Sequence, residues 1–467
     1  FNGGLDAKIG ITNDLTLDLT VNPDFGQVEA DPGAIALDGF QIFFEEQRPF
    51  FVENKNIFNF EFANRNDNLF YSRRIGRSPQ AYPSLNSGEY ADVPTNTTIL
   101  GAAKFSGKTK SGWSVGLLES VTSRMFAEID ANGQKRDELV EPLTNYLVGR
   151  AQKDFNKRNS YVGAIFTATH RNLEDDLDFL RKSALSGGID FRHSWKDRNY
   201  YVEGNAVMSH VTGSEEAILN AQTSLTHLFQ RVDADHIDVD GTRTSLTGTG
   251  GKVEFGKEGG GNWRYEGGVF WYSPELELND VGFLRQADNI SQYANLGYLF
   301  QKPTNFYRTV RLFVSQNTAY DFEGNHNRTE YEFEGFINYK NNWWTELELG
   351  HIPRIYSNTN LRGGPRWRDL EENYVALFVG TDRRKKFNAT FGYVDAQGKQ
   401  NATAFKRYVF RFQYQPFDAF SISMNNSFED EYSRTQYLET IDFNGAPRYV
   451  LGEIDQNTLS SSIRLNY

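Results

Sequence analysis

Hydrophobic and polar residues alternate in short segments along most of this chain. In the segment 15–21, leucine or valine occupies every second position, and in 387–393 and 408–414 the repeated apolar residue is mainly phenylalanine or tyrosine. A period of two predicts a β-strand with one apolar and one polar face. Segments of about ten residues with this alternation are typical of transmembrane β-barrels, whose strands contact lipid on one face and a wet lumen on the other.

The connections between these segments alternate between short and long. The short polar turns are predicted at 12–14, 108–112, 156–160, 196–199, 257–262, 302–305, 340–342, 382–385 and 416–418. The long irregular stretches are predicted at 121–144, 172–183, 212–244, 273–290, 317–328, 354–370, 395–404 and 427–456. A closed barrel, with short turns on one side of the membrane and long loops on the other, produces this alternation.

The pattern therefore predicts an all-β fold, a transmembrane up-and-down antiparallel β-barrel of about 18–20 strands. We expect residues 1–467 to form this single domain. The last segment, 459–467, has no strand after it with which to pair.

Regular alternation stops after Val21 and resumes only near Thr98, so that 22–96 is predicted to be an insertion between early strands. Its segments 39–58 and 69–79 combine many phenylalanines with charged residues, a mixture that suits neither lipid nor bulk water. We therefore expect an inward-folded segment near the N-terminus that occludes the lumen. An extracellular cap, or two further strands, are the alternatives.

The charged residues of this insertion are predicted to form a network inside the lumen. Its members are Glu45, Glu46, Arg48, Glu53, Arg73, Arg74 and Arg77. The acids are expected to pair with these arginines or with wall arginines such as Arg264 and Arg411, because buried charges need partners.

Composition excludes several classes of protein. The formal net charge of −12 argues against a nucleic-acid binder, which usually presents a basic face. The absence of cysteine excludes disulfides and thiolate metal sites. No run of apolar residues is long enough for a transmembrane helix. Aromatic residues make up 15% of the chain, so that they supply much of its apolar surface.

The sequence contains no motif of a known catalytic site. The seven histidines are scattered, and neither a zinc-binding HExxH pattern nor a GxSxG nucleophile elbow is present. We therefore expect that the protein is not an enzyme. A barrel-borne hydrolase acting on envelope lipid or glycan remains an alternative, and a soluble β-rich binding protein is another.

One long loop contains a cluster of carboxylates. Residues 233–241 include Asp233, Asp235, Asp238 and Asp240. Clustered carboxylates beside a glycine suit a hard cation such as Ca²⁺, although the spacing is not that of an EF-hand. The alternative is a solvated acidic loop, or one that divalent ions bridge to lipopolysaccharide. No other cofactor is expected.

A second loop combines arginines with tryptophan. The segment 360–370 contains Arg362, Arg366, Trp367 and Arg368. Such a loop can stack on a sugar or hold an anionic head group. The alternative is a loop pinned to an acidic rim.

Several segments resemble the signature of a family of Bacteroidota outer-membrane proteins of unknown function. They are "VNPDFGQVEADP" (21–32), "FFEEQRPFFVEN" (43–54), "LFYSRRIGR" (69–77), "HLFQRVDADHIDVDGTRTSLTG" (227–248), "NDVGFLRQADN" (279–289) and "IDQNTLSSSIRLNY" (454–467). The resemblance implies a barrel in the bacterial outer membrane. It also implies a link to glycans, because members commonly carry a family-nine-like carbohydrate-binding module before this region, and that module is absent from this chain.

Together these features predict a channel, or a membrane anchor or scaffold for glycan handling or for a partner complex. The expected partners are outer-membrane lipid and lipopolysaccharide, with glycans or surface lipoproteins of an envelope complex as further candidates. Nucleic acid is not expected.

Overall fold

The computed structural model of this chain describes residues 3–23, 36–60, 62–63 and 66–467. In these residues one antiparallel sheet of nineteen strands dominates, beside a sheet of three short strands and another of two. The strands, in chain order, are β1 (Leu5–Gly10), β2 (Leu15–Val21), β3 (Tyr90–Asp92), β4 (Ile99–Lys108), β5 (Trp113–Thr122), β6 (Met125–Ala131), β7 (Gln134–Glu141), β8 (Leu143–Phe155), β9 (Ser160–Asn172), β10 (Ser183–Trp195), β11 (Tyr200–Thr212), β12 (Ser245–Lys257), β13 (Trp263–Tyr272), β14 (Asn289–Phe300), β15 (Tyr307–Tyr320), β16 (His326–Tyr339), β17 (Trp344–Ile352), β18 (Ile355–Ser357), β19 (Trp367–Asp369), β20 (Glu372–Gly380), β21 (Phe387–Gly398), β22 (Thr403–Phe417), β23 (Phe420–Phe443) and β24 (Ala446–Asn466). The helices are α1 (Pro49–Val52), α2 (Lys55–Phe58) and α3 (Glu215–Thr223), with short 3-10 turns at Ser72–Arg74, Asn156–Arg158, Asp175–Leu177 and Lys399–Asn401.

The large sheet follows the order of the chain. Strands that follow one another in this sheet pair antiparallel, while β3, β6 and β7 form the three-stranded sheet and β18 and β19 the two-stranded one. The prediction of an all-β chain whose main antiparallel sheet has about 18–20 strands is confirmed. Each predicted short turn connects two adjacent strands.

Several of the predicted long irregular stretches are instead short connections. The stretch 395–404 lies mostly in β21 and β22, which the 3-10 turn Lys399–Asn401 joins, and the stretch 317–328 has only five residues between β15 and β16. Two others are tight hairpins. The stretch 427–456 lies within β23 and β24, and these strands meet at Asn444 and Gly445, whose φ angles are 56° and 78°. The stretch 121–144 contains β6 and β7, which meet at Asn132 and Gly133 with φ angles of 55° and 87°. A two-residue hairpin turn needs positive φ at both of its residues, and Asn-Gly is the pair that adopts this conformation most readily.

The described pairings leave the sheet with two edges. Within the described residues β1 pairs only with β2 and β24 only with β23, so that the predicted closure of the barrel is not among the observed pairings. Because each step along the sheet reverses the direction of the chain, β1 and β24 run in the same direction. No helix in the described part of the chain is long and apolar enough to cross a membrane.

The two faces of the sheet differ in what covers them. We call the face that carries residues 50–76 and 276–287 the inner face, and the opposite one the outer face. The inner face holds the main hydrophobic core, in which Leu118, Val148 and Ile165 of the sheet are buried. The apolar side chains of the outer face are exposed, among them Leu117, Val162, Phe166, Ile189, Met208, Val253, Val269, Leu296, Val314, Leu349 and Phe391.

Candidate functional site: the segment on the inner face

The chain leaves the sheet after β2, and residues 36–79 lie against the inner face before the chain returns to the sheet at β4. We call residues 36–79 the covering segment, of which residues 61, 64 and 65 lie outside the described residues, as do residues 24–35 of the predicted insertion. Pro49 begins α1, where its fixed φ suits the first helical turn. Asn54, with φ of 57°, then turns the chain into α2. Helices of one turn are not stable alone, so packing against the sheet holds this conformation.

Aromatic rings fix the covering segment to the sheet. Phe58 and Phe60 are 3% and 0% exposed and belong to the main core. Two glycines of the sheet make room for them, because a Cβ atom at Gly116 would lie 2.8 Å from the ring of Phe58 and one at Gly188 would lie 2.6 Å from that of Phe60. The fit of ring to glycine therefore defines where the segment lies.

One of the predicted acid–arginine pairs forms in the covering segment. The Arg48 guanidinium donates to Glu46 with an Nη2–Oε2 distance of 2.7 Å, and it also donates to the carbonyls of Ser72 and Ile75. Burial alone would raise the pKa of Glu46, but the hydrogen bonds and charge of Arg48 hold this pKa below its usual range. The pair therefore links the residues just before α1 to the 3-10 turn Ser72–Arg74.

Lysines, rather than the predicted arginines, hold the other two acids. Glu53 forms an ion pair with Lys8 of β1, and Glu45 lies 3.7 Å from the ammonium of Lys55. Arg264 donates to carbonyls of the turn before its strand, and Arg411 donates to Asn425. The prediction that these two wall arginines pair with the acids is therefore wrong.

Three arginines lie after residue 70, and each donates hydrogen bonds to neutral groups. Arg73 donates to the carbonyl of Glu45 at 2.9 Å, and Arg77 donates to Gln80. Arg74 donates to the carbonyl of Gly282 at 2.9 Å and to Asn279 at 2.8 Å, and its burial lowers its pKa to about 10. The covering segment is therefore joined through Arg74 to the loop between β13 and β14.

This loop is a part of the site that the sequence did not identify by its chemistry. Its backbone pairs with the covering segment, since Asn68 and Phe283 exchange N–H···O bonds of 2.9 and 2.8 Å. Asp280 accepts from Arg171 at 2.7 Å and from Arg181 at 2.8 Å. Burial alone would raise the pKa of Asp280, but the two guanidinium groups hold it below its usual range. The only signal in the sequence was the quoted segment 279–289.

The covering segment leaves part of the inner face open. A cavity of about 900 Å³ lies between residues 36–43 and the strands from β13 to β16 and β23. Another cavity, of about 730 Å³, is lined by residues of the strands from β17 to β24, including Glu346, Asn388 and Arg411. The open side of the inner face is therefore polar and accessible.

The arginine–tryptophan loop is largely occupied by contacts within the chain. Arg362 donates to the carbonyl of Leu37 at 3.2 Å, and Arg366 donates to the carbonyl of His326 at 2.6 Å. Arg368 is exposed and Trp367 is half-buried. Of the predicted contacts for a glycan or an anion, Arg368 and Trp367 are the accessible ones.

The four aspartates of the acidic loop have separate surroundings. Asp233 accepts from the backbone of Arg366 at 2.7 Å, and Asp240 accepts from Thr242. No group of three or more acids or histidines suited to a metal ion occurs in the part of the chain that the structure describes. Asp235 and Asp238 do not join Asp233 or Asp240 in a group of this kind. The structure therefore does not support the predicted calcium site.

One serine–histidine contact bears on the enzyme alternative. Ser160 and His193 are joined by a hydrogen bond of 2.8 Å between Oγ and Nδ1. His193 stacks on Trp195 with ring centroids 5.7 Å apart. Within the described residues no carboxylate bonds to His193, so that the contact lacks the group that would orient a general base.

Comparison with known proteins gives a family but no activity. A domain of unknown function (DUF5916) matches residues 1–467. None of the curated proteins matches this chain.

Among solved structures, an anion-selective porin from Comamonas acidovorans aligns at 12% identity over 76% of this chain and 98% of its own, with a TM-score of 0.33. The siderophore receptor PirA from Acinetobacter baumannii aligns at 11% identity over 99% of this chain and 71% of its own, with a TM-score of 0.46. The toluene transporter TodX from Pseudomonas putida aligns at 10% identity over 81% of this chain and 95% of its own, with a TM-score of 0.18.

Proposed function

We propose that this chain, which belongs to the DUF5916 family over residues 1–467, is a β-barrel of the bacterial outer membrane that acts as a channel. Its covering segment fills part of the lumen. The observation that carries the proposal is the contrast between the two faces of the large sheet.

The outer face suits contact with lipid. Ile189, Met208 and Phe391 are 63%, 54% and 66% exposed, although all three are apolar. A soluble protein rarely exposes a contiguous apolar surface that runs across many strands. Lipid and lipopolysaccharide are therefore the partners that we propose for this face.

The inner face suits a polar lumen. Lys104 and Arg150 are buried there, and Arg150 makes hydrogen bonds of 2.6 and 2.7 Å to Asp190. Lys252 likewise binds Glu203 at 2.7 Å. Charged residues within a membrane protein face its interior and pair with one another.

The proposal requires partners for both edges of the sheet. Lipid cannot satisfy the backbone N–H and C=O groups of an open edge, and each unsatisfied group costs several kcal/mol. Because β1 and β24 run in the same direction, they can close the barrel by pairing in parallel. One further strand, antiparallel to both, is the other solution.

A role as an anchor or scaffold is a second candidate. The exposed Arg368 beside the half-buried Trp367 supports it, because this pair can stack on a sugar or bind an anion. Loss of glycan binding on Trp367→Ala, with unchanged conductance, would favour this role.

Conductance in planar bilayers tests the channel. Removal of residues 39–79 is expected to leave a barrel that still inserts and to raise the single-channel conductance several-fold, because the lumen loses its covering segment. Removal of residues 442–447, at the exposed tip of the hairpin of β23 and β24, is the matched control and should leave conductance unchanged. Equal conductance with and without the covering segment would contradict its place in the lumen. A protein that stays soluble without detergent would contradict the barrel.

A further inference from the structure

We infer that the open part of the inner face forms a route for small hydrophilic cations past the covering segment. This inference rests on the proposed barrel and names the solutes that it admits. It concerns the strands from β15 to β24, which contribute no residue to the main hydrophobic core between the covering segment and the sheet.

Two cavities mark the ends of the route. The cavity of about 900 Å³ includes Asn317, Arg328 and Glu431, which lie toward the long-loop ends of their strands. The cavity of about 730 Å³ includes Glu346 and Arg411, which lie toward the short-turn ends. Both cavities open on the inner face, and β23 lines both of them, so that a solute can follow this strand from one cavity to the other.

Glutamates line the wall between the two cavities. Glu334 of β16 lies directly opposite Glu348 of β17 in the strand register, and Glu346 follows on the same face. Glu332 accepts a hydrogen bond of 2.7 Å from Tyr374. Two like charges opposite each other destabilise an antiparallel pair unless other charges offset them.

The protein does not supply these offsetting charges at close range. In the described residues no lysine or arginine lies within 4.0 Å of the carboxylates of Glu334, Glu346 or Glu348. Arg311, on the neighbouring strand, lies over the ring of Phe336 at 4.4 Å.

Two of the nearby arginines are already paired with other glutamates. Arg328 pairs with Glu330 at 2.9 Å and Arg407 pairs with Glu429 at 2.8 Å, so that these positive charges are already neutralised. Arg411 donates to the neutral side chain of Asn425 at 3.0 Å and Arg383 lies over the ring of Trp344, so that their charges remain, as does that of Arg311. The glutamates Glu332, Glu334, Glu346 and Glu348 outnumber these three arginines.

Mobile cations are therefore the species that offset the glutamates. The four glutamates do not form a group suited to a bound metal ion within the described residues. A wall with a surplus of charge of one sign raises the local concentration of ions of the opposite sign in a confined space. The route should favour K⁺ over Cl⁻, and small organic cations over anions of equal size.

Reversal potentials test this inference. The full chain is placed in a planar bilayer between unequal KCl solutions, and the permeability ratio of K⁺ to Cl⁻ is measured. The wild-type ratio should exceed one, and it should fall by about twofold or more in the double variant Glu334→Gln and Glu348→Gln. Glutamine keeps the size of the side chain, so that the change reports charge rather than the width of the route.

Two comparisons make the result decisive. Glu128→Gln removes a charge from the exposed hairpin of β6 and β7 and should leave the ratio unchanged. Anion preference in the wild type, or an unchanged ratio in the double variant, would overturn the inference while the channel stands. The inference is also overturned, while the channel stands, if the wild type does not conduct but the variant lacking residues 39–79 does. If neither protein conducts, the proposed channel itself is wrong.

Discussion

Neighbouring residues of one strand lie in opposite surroundings. The ring of Phe410 contacts those of Phe391 and Phe412, with centroids 5.3 and 6.0 Å apart, on the outer face of β22. Arg411, the next residue, points to the inner face and binds Asn425. The alternation that the sequence shows at 408–414 is thus the alternation of the two faces.

A charge at the position of Phe410 should destabilise the protein. We expect Phe410→Arg to lower the free energy of unfolding by about 2–4 kcal/mol if the residue lies near the middle of the bilayer. Urea unfolding of the protein in lipid vesicles measures this value. Gln413→Arg, on the inner face of the same strand, is the control and should change it far less.

Asp369, at the end of β19, should make the loop sheet of β18 and β19 sensitive to pH. Its carboxylate accepts from Asn360 at 3.1 and 3.3 Å. Burial, and then the charge of Glu372, raise its pKa to about 6. The folded loop therefore binds a proton more tightly than the unfolded loop, whose aspartate has a pKa of about 3.9. The stability of the loop should fall as the pH rises from about 4 to about 6.

Amide hydrogen exchange of residues 355–369, corrected for the intrinsic effect of pH, measures this dependence. We expect greater protection at pH 5 than at pH 7 in the wild type, and equal protection in Asp369→Asn. Equal protection at both pH values in the wild type would show that Asp369 does not control the loop.

At the scale of elements, two adjacent glycines of β10 test how the covering segment fits the sheet. A Cβ atom at Gly188 would meet the ring of Phe60 at 2.6 Å, whereas one at Gly187 would meet only the carbonyl of Ile165, at 3.4 Å. Gly188→Ala should therefore destabilise the protein by about 1–3 kcal/mol, as overpacking does. Gly187→Ala, on the outer face, should be nearly neutral.

Thermal unfolding and limited proteolysis measure this difference. Gly188→Ala should lower the melting temperature and expose residues 39–79 to protease, because Phe60 must move. If both variants behave alike, the covering segment does not lie on the inner face at this position.

The sequence was sufficient for the elements of the large sheet but not for every connection. Alternation located the strands, and polar turn residues located the short turns between them. The hairpins at Asn132–Gly133 and Asn444–Gly445 were missed, although Asn-Gly is itself a strong hairpin signal. Polar, exposed strands that extend beyond the apolar part of the sheet lack the alternation by which the other strands were recognised.

The site was predictable in place but not in detail. A mixture of phenylalanine and charge indicated that residues 39–79 fold inward onto the lumen-facing side of the strands. Which charges meet depends on contacts between distant residues, such as Glu53 with Lys8 and Arg74 with Gly282. A single sequence has no local signal for such contacts.

At the scale of the whole molecule, the large sheet of nineteen strands presents an apolar outer face and an inner face on which charged residues lie beside the main hydrophobic core. The covering segment packs on the inner face of the earlier strands, and the later strands leave their inner face open. The central claim is that the outer face lies in lipid and that the open inner face lies in water.

Nitroxide scanning of residues 408–414 tests that claim most directly. The chain contains no cysteine, so that each single-cysteine variant carries one label. In lipid vesicles, collisions with oxygen should be most frequent at Tyr408, Phe410, Phe412 and Tyr414, and collisions with a water-soluble nickel reagent at Arg411 and Gln413. An absence of alternation, or access of the nickel reagent to every position, would contradict the account.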